Sequence, residues 1–393
     1  MTGTSHSHRA RALADELAAD GRLTESWRRA YEDTPRHLFV PDVAWAVPDG
    51  PARGYAIDRG EDQAAWWSTV YSDSSVITQL DDGTGDLRTG KGSASCSCSA
   101  PGIVFTSLRM LDVYDHHRAL DVGTGTGWTA ALLSHRIGDR NVVSIEVDAQ
   151  LAAQAAQNIS AAGHAPRLIV GDGAEGWADG APYDRVHVTC AVQTFPCAWV
   201  EQTSPGGVIV APWSPAYGNG QLARLVVDGG TATGRFPTSA SYMMLRAQRR
   251  TLAWVPHHAD EANEGRAQLD PRTLGNASPA ADLAITALVP GVARIPASTE
   301  DGSGGFPLLL VEAGAEGAGQ SDSAWAAADY EPGAVDHRVT RYGRRNLWEE
   351  VSNAYLPWIG WGQPDRERFG LSVTPAGQHL WLDHPGRRLV AEG

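Results

Sequence analysis

The sequence predicts an α/β chain: a doubly wound, mostly parallel sheet followed by a smaller α+β domain. Three observations predict it. Between residues 119 and 212, short apolar runs rich in β-branched residues alternate with helical stretches. Such alternation builds a parallel sheet covered by helices on both faces. The apolar run Ala119-Leu-Asp-Val ends in glycines at every second position, Gly123, Gly125 and Gly127, and an alanine-rich helix over residues 129–137 follows at once. Finally, about 140 residues remain after Arg250 and carry apolar patterns of their own. A chain of 393 residues exceeds one ordinary domain. Residues 1–250 and 251–393 are the expected units.

Taken in order, residues 9–19 and 24–32 read as helices, striped by Leu13, Leu17 and Ala18 and by Trp27, Ala30 and Tyr31. Thr24 is placed to cap the second. Pro35-Arg-His-Leu-Phe-Val-Pro41 reads as an extended connector, and a helix follows over about residues 102–111. The first parallel strand ends at Asp121. Val143-Ser-Ile-Glu-Val-Asp148, Leu168-Ile-Val-Gly-Asp-Gly173, the run into Thr189 and Pro205-Gly-Gly-Val-Ile-Val-Ala-Pro212 read as the second to fifth. Residues 149–162 form a helix with Leu151, Ala155 and Ile159 on one face. Beyond Arg250, residues 256–282 read as linker or surface loop. Residues 284–289 and 306–311 read as strands or short buried segments, and residues 314–323 as a flexible loop. Residues 346–358 are an amphipathic helix. Leu371-Ser-Val-Thr and His379-Leu-Trp-Leu flank Pro375-Ala-Gly377 as a hairpin. Six of the 14 tryptophans lie in this extension, so it is expected to fold.

Hydrophobic residues at 42% and charged residues at 20% suit a globular chain with a sizeable core. A formal charge of -14 excludes a phosphate-tracking surface, so no nucleic-acid partner is expected. No apolar run reaches membrane-spanning length and the N-terminus lacks an apolar signal core. The expected location is therefore the cytoplasm, with no membrane partner. Cys96, Cys98, Cys190 and Cys197 show neither metal spacing nor a disulfide framework, so no metal is expected. Oligomeric state is left open.

Ligands of open α/β sheets bind beyond the carboxyl ends of the strands. The glycine turn, Glu146 and Asp172 all lie there. A dinucleotide fingerprint would need glycine at the position held by Trp128. Glu146 could accept hydrogen bonds from a ribose diol. Asp172, between two glycines, could accept from an adenine amino group, or could simply bond its own turn.

The spacing G-x-G-x-G after an acidic strand end resembles the first motif of S-adenosylmethionine-dependent methyltransferases. Residues 35–41 resemble the P-R-x-x-F-V-P segment of protein-L-isoaspartate O-methyltransferases. Val70-Tyr-Ser-Asp73 resembles that family's Y-x-D element and Ser97-Cys-Ser-Ala-Pro101 its T-I-S-Q/A-P segment. The matches run in order over roughly residues 10–250. The resemblance implies a Rossmann-like class I methyltransferase with S-adenosylmethionine as cofactor. It implies cofactor contacts from Asp121, Gly123, Thr124, Gly125, Thr126, Gly127, Glu146, Val147, Asp172 and Gly173. For the acceptor it implies Asp73, Ser97, Ser99, Thr189, Cys190 and Ala191, with Asp73 anchoring a covering loop. Ser99 and Asp121 are the expected catalytic residues: Ser99 as a donor that fixes the acceptor carboxylate, Asp121 close to both reacting groups. The Ser-x-Ser stretch could otherwise be a polar loop capping the next helix. Methyl transfer to a carboxylate needs no general base, because an unperturbed Asp, pKa about 3.9, is already ionised at neutral pH. Orientation is the main requirement and can supply about 7–11 kcal/mol of the barrier.

Three departures qualify the match. Cys96 and Cys98 punctuate a Gly/Ser-rich segment, residues 188–196 replace the family's alanine-rich turn, and the chain continues far past Arg250. Arg345-Asn-Leu-Trp-Glu-Glu-Val and Arg368-Phe-Gly-Leu-Ser-Val-Thr-Pro resemble the isoaspartyl-methyltransferase homologues found with lanthipeptide biosynthesis in actinobacteria. That resemblance implies a modified, ring-containing precursor peptide as partner, with methylation of an ordinary Asp leading to an aspartimide. The residues alone support a carboxyl methyltransferase with an added domain. Repair of isoaspartyl proteins, and a peptide-binding protein with a vestigial cofactor site, are the other readings. The extension either recognises the peptide or serves packing or dimerisation.

Overall fold

Residues 3–50, 52–249, 259–296, 305–313 and 323–390 are described by the computed structural model. Helices α1 (Gly3–Ala19) and α2 (Glu25–Asp33) form where the apolar stripes place them, with Trp27, Ala30 and Tyr31 buried. Thr24 precedes α2 in extended backbone, but its hydroxyl pairs with that of Ser26 at 2.9 Å instead of capping a backbone N–H. The proline-flanked segment is not extended. Leu38 N–H donates to the Pro35 carbonyl at 3.1 Å, closing a 3-10 turn over Arg36–Phe39. Proline restrains its own φ and the residue before it, so the four residues between Pro35 and Val40 remain free to turn. The turn carries Arg36 into the core.

Strands β1 (Val43–Pro48), β2 (Tyr55–Asp58), β3 (Ser74–Leu80) and β4 (Ala94–Cys98) make an antiparallel sheet in the order β2-β1-β3-β4, and α3 (Gln63–Val70) joins β2 to β3. Helix α4 (Pro101–Leu111) leaves the end of β4 with proline in its first turn, where no N–H is missed.

Next comes the parallel core: β5 (Ala119–Val122), α5 (Trp128–Ile137), β6 (Val142–Glu146), α6 (Ala149–Ala161), β7 (Arg167–Val170), β8 (Tyr183–Val188), α7 (Cys197–Glu201) and β9 (Thr203–Trp213). The five strands lie in the order β7-β6-β5-β8-β9, each parallel to its neighbours. β5 and β6 are buried along their whole length because helices cover both faces. β10 (Gln221–Asp228) and β11 (Thr231–Ser239) extend the sheet antiparallel from β9. Trp27, Phe105, Leu108, Trp128, Leu132 and Ile159 from α1–α6 fill one side of the sheet.

The extension holds β12 (Asn263–Ala267), α8 (Pro271–Gly275), α9 (Pro279–Leu288), β13 (Val292–Pro296), β14 (Phe306–Glu312), β15 (Trp325–Tyr330), β16 (His337–Tyr342), α10 (Leu347–Gly360), β17 (Phe369–Thr374) and β18 (Gly377–Leu382). Two expectations are corrected here. Residues 259–282 are not a loop: they contain β12, α8 and the start of α9. β12 is a polar, exposed edge strand without apolar alternation to mark it. Residues 284–288 are helix, not strand. Ser278 accepts from Ala281 N–H at 3.2 Å, Pro279 opens α9, and its alanines favour helix. The strand expected at residues 306–311 and the helix expected at 346–358 both form. Residues 314–322 lie outside the described residues.

The last hairpin, β17–β18, forms as the sequence indicates, but it belongs to the central sheet: β17 pairs with β11, giving the order β18-β17-β11-β10-β9-β8-β5-β6-β7. Helices α9 and α10 are shared. Ala280, Ala281, Ala284 and Trp358 pack on the second face of the central sheet. Ile285, Leu347 and Val351 pack on the five-stranded sheet β12-β16-β15-β14-β13. A chain ended at residue 345 would expose the β11 edge together with Leu225 and Phe236, an aggregation-prone combination. The expected outcome is loss of soluble monodisperse protein on size-exclusion chromatography, where the full chain elutes as a single species.

Candidate active site

Turn geometry comes first. Gly123 and Gly125 sit at φ +89° and +55°, conformations that side chains other than glycine resist. A Cβ at Gly123 would meet Thr189 Oγ1 at 2.8 Å, and one at Gly173 would meet Val122 Cγ1 at 2.6 Å. The turn borders a solvent-open cavity beyond the carboxyl ends of β5 and β6. Gly123, Thr124, Gly125, Thr126, Glu146, Val147, Gly173, Thr189, Cys190, Ser97 and Ser99 all line it. The edge strand β4 closes the opposite wall, with Cys96 Sγ 3.6 Å and the Ser97 carbonyl 3.8 Å from where a Cβ on Gly125 would stand.

Glu146 is nearly buried, and each of its oxygens accepts one backbone N–H: Oε2 from Gly125 at 2.9 Å and Oε1 from Asp148 at 3.0 Å. Two acceptor positions remain on those oxygens. Beside it lie Ile145, Val147, Leu151 and Leu245. A fixed carboxylate with spare acceptors next to an apolar slot suits a ribose diol joined to a purine ring. The residues fit the adenosine part of S-adenosylmethionine.

Four expected residues sit elsewhere. Asp121 is fully buried beneath the turn and does not line the cavity. It accepts from Ser144 Oγ at 2.8 Å and pairs with His187 Nδ1 at 3.1 Å, while Ser144 Oγ meets Thr124 Oγ1 at 2.7 Å. Asp121 thus braces the turn instead of facing the reacting groups. Gly127 is the N-cap of α5, and its missing Cβ makes room for Ile159 at 2.8 Å. Asp172 is exposed and accepts from Ala174 N–H at 2.9 Å, the self-bonded turn. Ala191 is buried and acts through its backbone: its N–H donates to the Met243 carbonyl and its carbonyl accepts from Leu245 N–H, both at 2.8 Å. That ladder holds Met243, Met244 and Leu245 against the cavity.

Ser99 stands where the cavity meets a second hollow lined by Arg22, Asp73, Ser75, Ser97, Ser241 and Tyr242. Asp73 is an anchor there: it pairs with Arg22 and accepts from Gly102 N–H, the first turn of α4, at 2.7 Å. Tyr242 lines that hollow together with Ser99, and burial raises its hydroxyl pKa well above the usual range. Burial pushes the Cys96 thiol up to about 12 and raises that of Cys190 further, so both stay protonated and unreactive.

Arg36 lies in the proline-flanked segment that matches P-R-x-x-F-V-P, but the sequence assigns no site role to it, nor to Arg246 or Arg249. Arg36, fully buried, donates to the carbonyls of Val70 (2.7 Å), Ser72 (3.2 Å), Ser74 (2.7 Å), Cys98 (3.1 Å) and Ser99 (3.0 Å), and its guanidinium lies 5.4 Å from the Trp128 ring centroid. Arg246 and Arg249 line the cavity mouth and are tied to Asp82 at 3.0 and 2.8 Å. These partners are far apart in the chain, so no local pattern marks them.

The family profile described as protein-L-isoaspartate(D-aspartate) O-methyltransferase matches residues 56–247. Protein-L-isoaspartate O-methyltransferase 1 of Archaeoglobus fulgidus is 32% identical over 204 residues, 51% of this chain and 78% of its own length. The protein of the same description from Methanoculleus marisnigri is 38% identical over 208 residues, 53% of this chain and 73% of its own. A solved structure described as a protein-L-isoaspartate O-methyltransferase shares the fold over 95% of this chain and 100% of its own, with a TM-score of 0.54 and 18% identity.

Replacing Glu146 by Gln is expected to weaken S-adenosylhomocysteine binding roughly tenfold, the scale of one charge-assisted hydrogen bond; titration calorimetry reads this. Arg36→Met strands several buried carbonyls and is expected to lower unfolding free energy by at least about 3 kcal/mol, measured by urea titration.

Proposed function

The chain belongs to the protein-L-isoaspartate (D-aspartate) O-methyltransferase family, and from that premise we propose that it esterifies an Asp side chain in a modified, ring-containing ribosomal peptide of the lanthipeptide kind. At the coarser level it is an S-adenosylmethionine-dependent protein carboxyl O-methyltransferase. The observation that carries the proposal is Ser99, whose position borders both the cavity and the neighbouring hydroxyl-lined hollow.

Residues Glu146, Gly123, Gly125, Thr126 and Gly173 would hold the cofactor. When bound there, S-adenosylmethionine supplies an electrophilic methyl carbon. The protein's part is to place one carboxylate oxygen and leave it charged. Ser99 can donate to the acceptor carboxylate without neutralising it, and Tyr242 lines the same hollow. Arg36 fixes the Ser99 backbone through its carbonyl. Among the described lining residues of the cavity there is no histidine or lysine, and Arg246 and Arg249 are engaged by Asp82. An unprotonated, unpaired carboxylate is the stronger nucleophile, so a hydroxyl-lined, base-free setting suits this transfer. The methyl ester would then be attacked by the following backbone nitrogen, forming the imide C–N bond and releasing methanol.

Support for the ring-containing substrate comes from the resemblance at residues 345–351 and 368–375 and from the altered turn at residues 188–196. Repair of isoaspartyl residues is the second reading. It is favoured by the names of the relatives above and by the solved structure of that description, whose fold extends over the C-terminal region as well. The added region therefore does not separate the two readings.

Labelled S-adenosylmethionine with an isoaspartyl peptide and with a ring-constrained Asp peptide decides between them. Ester formation on the constrained peptide, with a later loss of methanol by mass spectrometry, is expected; labelling of the isoaspartyl peptide alone would overturn the tailoring reading. Ser99→Ala is expected to lower kcat roughly 10- to 100-fold, the worth of a hydrogen bond to a charged group. Cofactor affinity in that variant should stay near wild type, as calorimetry with S-adenosylhomocysteine would report.

A further inference from the structure

We propose that Gln378, on the C-terminal hairpin, is a positioning residue for the acceptor side of the active site, acting through residues 189–196. This rests on the carboxyl-methyltransferase reading above. The segment leaves β8 directly at the cavity: Thr189 and Cys190 line it, and Gln193 lines an adjoining groove with Ser95, Ser214, Met244 and Arg249. Groove and cavity share Ser95, Met243, Met244 and Arg249, so the segment borders both where they meet.

Between Gln193 and Phe195 the segment has no regular secondary structure, yet its polar backbone is fixed by side-chain amides from two distant places. Gln248 Oε1 accepts from Gln193 N–H at 2.8 Å and Thr194 N–H at 3.0 Å, and its Nε2 donates to the Thr194 carbonyl at 2.7 Å. Gln378 supplies the other clamp. Its Oε1 accepts from Phe195 N–H at 2.9 Å and its Nε2 donates to the Gln193 carbonyl at 2.7 Å. Trp213 Nε1 donates to that same carbonyl at 2.9 Å, so both its lone pairs are used.

A primary amide suits this task because it offers a donor and an acceptor on one rigid plane. Gln378 bridges two residues of the segment, which sets the spacing between them. The hairpin that carries Gln378 is itself part of the central sheet through β17 and β11. Its position is therefore tied to the strands that carry the cofactor turn. The C-terminal region thus reaches the segment through Gln378 and the adjoining groove through Ala313, although none of its described hairpin residues lines the cavity.

The test uses the full chain, with Gln378→Ala compared against Thr374→Ala. Thr374 Oγ1 donates to the Gly377 carbonyl at 2.9 Å, a bond wholly inside the hairpin turn. Its loss loosens the hairpin without removing a bond to the segment. Hydrogen–deuterium exchange over residues 189–196 and 119–128 is measured in both, with S-adenosylhomocysteine affinity and with kcat and KM on the isoaspartyl and ring-constrained peptides. For Gln378→Ala, exchange over 189–196 and the peptide KM should each rise about tenfold, the order expected for one or two lost hydrogen bonds. Exchange over 119–128 and cofactor affinity should not change. Thr374→Ala should leave the 189–196 exchange and the KM as in wild type.

Unchanged exchange over 189–196 in Gln378→Ala overturns the proposal. So does an equal effect of Thr374→Ala at an equal fall in unfolding temperature, which would make the role that of hairpin stability alone. If alanine at 378 unfolds the hairpin, Gln378→Glu serves instead: it keeps the acceptor for Phe195 N–H and loses the donor to Gln193. Failure of the wild-type chain to esterify either peptide would count against the functional reading, while the exchange comparison still decides the role of Gln378.

Discussion

One buried guanidinium holds the acceptor side of this molecule in place. Among the described residues Arg36 has no carboxylate partner; it gathers backbone carbonyls from the end of α3, the start of β3 and the end of β4. Burying a cation without a counter-ion is costly unless its donors are satisfied. Five carbonyl contacts and the Trp128 ring compensate the two terminal nitrogens, the buried Nε–H being left without a partner among the described residues, and in return the cation ties the end of α3 to the paired strands β3 and β4. Trp128 also donates to the Thr34 carbonyl at 3.2 Å, so the residue that occupies the would-be dinucleotide glycine position braces the Arg36 turn from below. Ser99 owes its place beside the glycine turn to this arrangement.

The cofactor side depends on a separate and equally buried set. Asp121, Ser144, Thr124 and His187 form a connected chain under the glycine turn, closed at its far end by Ser107, whose hydroxyl meets His187 Nε2 at 2.9 Å. Such a network, once satisfied, makes the turn rigid. The two supports meet across the cavity, where β4 faces Gly125, and through Trp128, which follows the glycine turn and lies against Arg36. Placement by rigid walls suits a transfer whose barrier is reduced chiefly by orientation. Burial keeps the Cys96 and Cys190 thiols of the cavity wall protonated, so neither offers a thiolate beside the acceptor.

The C-terminal region is built into the enzyme, not appended to it. α9 and α10 serve two sheets at once, and the final hairpin completes the nine-stranded sheet that begins more than two hundred residues earlier. A buried ion pair, Arg294 with Asp282, reinforces the seam where α9 meets β13, at 2.7 and 2.9 Å. Through Gln378 the same hairpin holds the segment next to the cavity.

Local chemistry let the sequence by itself determine the parallel core, the glycine turn and the place of Glu146, because apolar period, glycine spacing and strand-end acids are all short-range signals. Ser97 and Ser99 were marked only by resemblance to the family's T-I-S-Q/A-P segment; read locally, they are equally a polar loop capping the next helix. It also marked the hairpin at residues 371–382, though not which sheet it joins. Only the tertiary structure decided that Asp121 and Gly127 support the turn from outside the cavity, that Asp172 bonds its own turn, and that residues 259–282 carry regular elements. Arg36, Gln248 and Gln378 likewise acquire their roles from partners 34 to 185 residues away. A side chain's hydrogen-bonding capacity is written in its residue type, but what satisfies it is fixed only when distant backbone is brought within about 3 Å.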